Sequence, residues 1–149
     1  MVQLRHLSPI VFVYSLPLGF FAAAIIHANN MRDIEDDTHA GKRTIASLVD
    51  MAKGRAWFIA LLIAAYLTII ALSVPHNAPH LMLITLWTLP GLVVVISGAV
   101  RTHMSTGFHL VMHQTLRLET FFTFLWVIAL LVSIILHLLS SMLIHLLPI

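Results

Sequence analysis

Residues 9–28 read Pro-Ile-Val-Phe-Val-Tyr-Ser-Leu-Pro-Leu-Gly-Phe-Phe-Ala-Ala-Ala-Ile-Ile-His-Ala, and residues 29–44 read Asn-Asn-Met-Arg-Asp-Ile-Glu-Asp-Asp-Thr-His-Ala-Gly-Lys-Arg-Thr. The first stretch carries no Asp, Glu, Lys or Arg and is long enough to cross a bilayer, which takes about 20 apolar residues. The second is a polar block set directly against its end. It holds four of the chain's six carboxylates and three of its eight Lys and Arg side chains. Carboxylates clustered at a membrane boundary are costly and mark function.

The same contrast runs through all 149 residues, of which 60% are hydrophobic and only 9% charged. Soluble domains carry roughly 25% charged residues, so the composition defines an all-α integral membrane protein. Three further apolar stretches follow, giving one membrane domain over 1–149 with four transmembrane helices at about 9–28, 56–74, 81–100 and 118–140. Ser140 and Ser141 are expected to mark the exit of the last span. Pro17, Gly19 and Pro90 interrupt spans and predict kinks or close helix contacts. The net charge of +2 is small and scattered, which excludes a nucleic-acid partner, and the absence of cysteine excludes disulfides and thiolate metal sites.

The loops alternate in charge. Arg32, Lys42, Arg43, Lys53 and Arg55 lie between the first two spans, none lies in the 75–80 turn, and Arg101 and Arg117 lie between the last two. The positive-inside rule therefore places the 29–55 and 101–117 loops in the cytoplasm and the 75–80 turn outside.

Within the polar block, Asp33 and Asp37 are four positions apart and point the same way on a helical turn. Lys42 and Arg43 follow. Hard carboxylate oxygens suit a divalent cation, and fixed positive charge suits phosphate oxygens. A magnesium-bridged diphosphate site would require both. Glu35 and Asp36 face away and are expected to be solvated. Gly41 suits a left-handed turn or a close approach to phosphate, and Thr44 is expected to cap the next helix.

The ordered pattern Asn29-Asn30-x-Arg32-Asp33-x-x-x-Asp37-x-x-x-Gly41-Lys42-Arg43-Thr44, directly after a span, resembles the second aspartate-rich motif of the UbiA superfamily of intramembrane prenyltransferases. It looks most like the dihydroxynaphthoate branch of the menaquinone pathway. Leu16-Pro17-Leu18-Gly19 extends the likeness, and three helices follow the motif as in the family. The resemblance implies the last four helices of a nine-helix bundle in a bacterial-type inner membrane. It implies a Mg²⁺ held by Asp33 and Asp37, a polyprenyl diphosphate contacted by Arg32, Lys42, Arg43, Asn29 and Asn30, and an aromatic acceptor such as dihydroxynaphthoate. An allylic cation would form, with Trp57, Phe58, Phe20 or Phe21 as candidates to face it. The family's first motif, an Asn-Asp-x-x-x-Asp element, has no counterpart, since the chain contains no Asn-Asp dipeptide. The chain therefore resembles the C-terminal half of such an enzyme, expected to be inactive alone and to need an N-terminal half or another membrane subunit. The alternative is a non-catalytic subunit of a larger complex, binding a cofactor or pigment through histidine.

Ten histidines are present. His76 and His80 are expected at the interface. His109 and His113 share a helical face near the site, and His137 is expected to pack within the bundle.

Overall fold

The computed structural model describes residues 9–74 and 79–146; His76 and the rest of 75–78 lie outside it. Helix α1 runs Pro9–Arg32, α2 Ile34–His39, α3 Ile45–Leu48 and α4 Met51–Leu72. A 3-10 segment, His80–Thr88, leads into α5, Leu89–Arg101. A short 3-10 turn, Ser105–Gly107, precedes α6, Phe108–Leu146. No strand occurs among the described residues. Four helical segments, Val11–Arg32, Met51–Leu72, His80–Arg101 and Ser105–Leu143, are long and apolar enough to cross a membrane.

Two boundaries differ from the hydropathy reading. Residues 108–117 are the first turns of α6 rather than loop, and α6 continues through Ser140 and Ser141. Both serines turn their hydroxyls back onto helix carbonyls, donating to His137 O and Leu138 O. The third span opens as a 3-10 helix and becomes α-helical at Leu89, one residue before Pro90, where a missing N–H costs nothing.

Helix α1 packs on α4 and α6, and α6 packs on the 3-10 segment and α5, which closes a four-helix bundle. Lipid tails are as apolar as leucine, so interlocking shape rather than escape from water holds these helices together. The core is aromatic. Phe21, Tyr66 and Phe122 meet with ring centroids 4.8–6.0 Å apart, and Phe58 meets Phe108 edge-on at 6.3 Å. Polar stitches are few and specific. His27 Nε2 bonds Gly54 O at 2.9 Å and ties α1 to α4. Tyr66 and Thr88 hydroxyls pair between α4 and the third span. Gly19 makes no close contact, whereas Pro17 is buried inside α1.

Both polar connections lie at one end of the bundle. Arg55 donates to Thr102 O at 2.7 Å, and Ser105 Oγ donates to Glu35 at 3.3 Å. The block 29–44 and the 102–107 connection are thereby held together, on one side of the membrane.

Candidate active site

Helix α1 ends at Arg32 because Asp33 (φ −96°, ψ 15°) leaves the helical basin. Side chains at i and i+1 point apart on a regular helix. The break swings Arg32 onto Asp33: Nε donates to Oδ1 at 2.6 Å and Nη2 to Oδ2 at 2.7 Å. This two-pronged geometry is the strong form of the guanidinium–carboxylate pair. Asn29 adds a third donor to Asp33 Oδ2 at 3.2 Å. The Arg32 bonds hold the Asp33 carboxyl below its ordinary value, against a smaller opposing effect of burial. Arg32 also reaches α6, with Nη1 donating to Met112 Sδ at 3.7 Å.

One turn on, the Asp37 N–H bonds Asp33 O at 2.8 Å, so the two acids remain stacked as the spacing predicts. Helix α2 then stops at Gly41, whose φ of +69° is the left-handed value that only glycine adopts cheaply. The Gly41 N–H bonds Thr38 O and the Lys42 N–H bonds Asp37 O, the paired bonds of a Schellman cap. The reversal returns Lys42 to the helix it has just left, and its Nζ donates to both Asp37 oxygens at 3.1 and 3.2 Å. Gly41→Ala is therefore expected to destabilise this turn by about 1–2 kcal/mol, the cost of a left-handed non-glycine residue. The measurement is hydrogen exchange over 34–42; protection equal to that of the parent would show that the cap is unimportant.

Thr44 caps α3 as anticipated. It accepts from the Ser47 N–H at 3.2 Å, and Ser47 Oγ accepts from the Thr44 N–H at 2.9 Å. Asp50 caps α4 by accepting from the Lys53 N–H at 2.8 Å, and these bonds lower its pKa. Neither Ser47 nor Asp50 was singled out from the sequence, although a short polar residue ahead of an apolar run is the signal for such caps.

The structure thus gathers Asn29, Arg32 and Asp33 into one cluster and Asp37 and Lys42 into the next, a turn apart. The carboxylates are not splayed into solvent: the Asp33 side chain is 27% exposed and that of Asp37 12%. Arg43 is exposed and Asn30 half-buried, and neither is drawn into a side-chain hydrogen bond among the described residues. Glu35 is exposed but bonded to Ser105. Of the aromatic candidates, Phe21 and Phe58 are consumed by the core, Phe20 is half-buried, and Trp57 is exposed. Two grooves, one between α5 and α6 and one beside Tyr14 and His137, are lined by residues other than the acids.

The histidines separate. His80 bonds Ser73 O at 2.9 Å, at the C-terminal end of α4. His109 and His113 are exposed, with ring centroids 4.6 Å apart. His137 is on an exposed face of α6 rather than packed inside the bundle.

The profile of the UbiA prenyltransferase family matches residues 2–107. The chain is 30% identical over 132 residues to 1,4-dihydroxy-2-naphthoate octaprenyltransferase of Bacillus subtilis, covering 89% of this chain and 42% of that protein. It is 32% identical over 129 residues to a UbiA prenyltransferase domain-containing protein 1 homolog of Drosophila melanogaster, covering 87% of this chain and 34% of that one. A 1,4-dihydroxy-2-naphthoate octaprenyltransferase of Haemophilus influenzae is 34% identical over 73 residues, covering 49% of this chain and 24% of that protein. The chain thus spans well under half the length of these relatives. No solved structure matches it. An acid pair at the lip of a membrane span and a profile match across most of the chain lead to one assignment: the chain belongs to the UbiA prenyltransferase family.

Proposed function

We propose that this chain supplies the second acidic site of a membrane prenyltransferase that moves a polyprenyl group from its diphosphate to a dihydroxynaphthoate-like acceptor. The observation that carries the reading is the acid pair, Asp33 half-buried and Asp37 buried, each already matched to a base at the end of a span. The names of the Bacillus and Haemophilus relatives support this choice of donor and acceptor classes.

Among the described residues no group of three or more metal-ligating side chains occurs. Two carboxylates still suit Mg²⁺, which is commonly bound by one or two protein acids and completes its shell with substrate phosphates and water. The donor set fits, and Asp33 and Asp37 would hold the ion. When bound, Mg²⁺ supplies charge neutralisation of the departing diphosphate. The chain's own residues do the rest. Arg32 and Lys42 now sit on the acids and are placed to turn toward phosphate oxygens once those acids are engaged. Arg43 adds exposed positive charge, and Asn29 and Asn30 offer amide donors. Gly41 sets the register of Lys42 against Asp37. The break at Asp33 does the same for Arg32.

The acids lie at one end of the four-helix bundle, covered by their own bases rather than by a facing acidic motif, which suits one wall of a two-walled site. The reading therefore includes a second wall carrying the other acidic motif, on an N-terminal half or a separate subunit. The test is prenyl transfer to dihydroxynaphthoate in liposomes, with Mg²⁺ varied, by this chain alone and together with a chain bearing the first motif. Turnover by the pair only, and only with the cation, is expected. Turnover by the chain alone would refute the two-wall reading; no turnover under either condition would refute the transferase reading.

A further inference from the structure

Between the start of α5 and the middle of α6 a groove of about 520 Å³ opens on the outer surface of the bundle. That size falls in the range of small-ligand sites. Trp87, Val94, Phe121 and Phe124 line it, each more than half exposed. Close approach at Gly91 shapes it: a Cβ there would stand 3.0 Å from the Leu118 side chain, and beside the groove one on Gly98 would stand 3.2 Å from Gln114 Oε1.

The same groove contains Arg117 and Gln114. The ion pairs of the described residues are Arg32–Asp33, Lys42–Asp37 and Lys53–Asp50, so Arg117 enters the groove without a carboxylate. A lone cation on a lipid-facing wall is costly and calls for an anion. The groove also has a direction. Arg117 and Gln114 lie toward the end where Arg101 closes α5 and Ser105 meets Glu35. Phe124 and Trp87 lie toward the bilayer centre. At 1.5 Å per residue Arg117 stands about 14 Å along α6 from Phe108, and an arginine arm reaches back several ångströms toward the headgroups.

We propose that this groove binds an anionic phospholipid. Its phosphodiester rests on the Arg117 guanidinium beside Gln114, and one acyl chain lies along Val94, Phe121 and Phe124 against Trp87. The planar guanidinium suits two phosphate oxygens, and the wall below it suits hydrocarbon. The inference is independent of the catalytic reading.

The test starts from protein extracted in mild detergent and stripped of lipid. It is titrated separately with dioleoyl phosphatidylglycerol, dioleoyl phosphatidylcholine and inorganic phosphate, with bound ligand read by native mass spectrometry. Phosphatidylglycerol is expected to be retained and to raise the melting temperature; the other two are not. Arg117→Gln is expected to weaken phosphatidylglycerol about tenfold or more, the size of one lost charge-assisted hydrogen bond, with helix content unchanged. Arg117→Lys should retain part of the affinity, and Val94→Trp, which fills the groove and leaves Arg117 in place, should lower it. Three results would overturn the proposal: equal retention by parent and Arg117→Gln, equal retention of either alternative ligand, or a photo-crosslink from position 121 to a second protein chain instead of lipid.

Discussion

Asp33→Ala and Asp37→Ala are each expected to lower prenyl transfer by about two to four orders of magnitude, the several kcal/mol that a metal-held leaving group contributes to such a step. Folding should survive. Asp33 and Asp37 are largely covered, but Arg32 and Lys42 keep 29% and 57% of their side chains exposed, so the base left behind is solvated and the loss stays at about 1–2 kcal/mol. The Schellman bonds around Gly41 are made by backbone atoms and remain without the Asp37 side chain. Asp37→Asn sharpens the comparison, because it keeps volume and an acceptor oxygen and loses only charge. If charge is what matters, Asn and Ala are equally inactive while helix content stays at the parent level. Full activity in Asp37→Asn would remove Asp37 from the chemistry and leave it a structural partner of Lys42.

The second large effect is on stability. Phe122 is fully buried between Phe21 and Tyr66, at 4.8 and 5.4 Å between ring centroids. In water its removal would forfeit both transfer and packing. In a membrane the transfer contribution is small, because an unfolded helix surface still meets hydrocarbon. What remains is the cavity. A phenyl-sized void of about 100 Å³ at about 24 cal/mol per Å³ costs about 2–3 kcal/mol. Phe122→Ala should therefore unfold at distinctly lower denaturing detergent fraction, whereas neighbouring Phe121→Ala, at a residue 67% exposed, should unfold almost as the parent does. Equal losses at the two positions would mean that lipid contact, not the aromatic cluster, holds α6.

The architecture was legible because the bilayer imposes its thickness on the chain. Runs of about twenty apolar residues admit few other readings. Hydropathy reports depth, however, and not helical extent. His109, His113, Gln114 and Arg117 lowered it over 108–117, and the segment read as loop, although none of these side chains stops a helix. The 3-10 opening of the third span was hidden for a different reason: its apolar residues suit either helix, and only the hydrogen-bond register differs.

At the site, the stacking of Asp33 and Asp37 and the left-handed turn at Gly41 followed from spacing and residue type. The Arg32–Asp33 fork did not, because neighbours on an intact helix diverge, and nothing in the residue types announces that α1 breaks between them. The pairing of Lys42 with Asp37 was hidden in the same way: it depends on a reversal whose direction is written in backbone torsions. The tie from Glu35 to Ser105 joins positions 70 apart, a distance over which local pattern is silent.

Helix α6 offers a mechanical consequence. From Leu118 to Leu143 its greasy shaft measures about 39 Å at 1.5 Å per residue, against a hydrocarbon layer of about 30 Å. The surplus sits at the tip remote from the acids. When the bilayer swells or thins, the spare length there takes up the change by leaning or by wetting another turn, and the acid-bearing rim keeps its level.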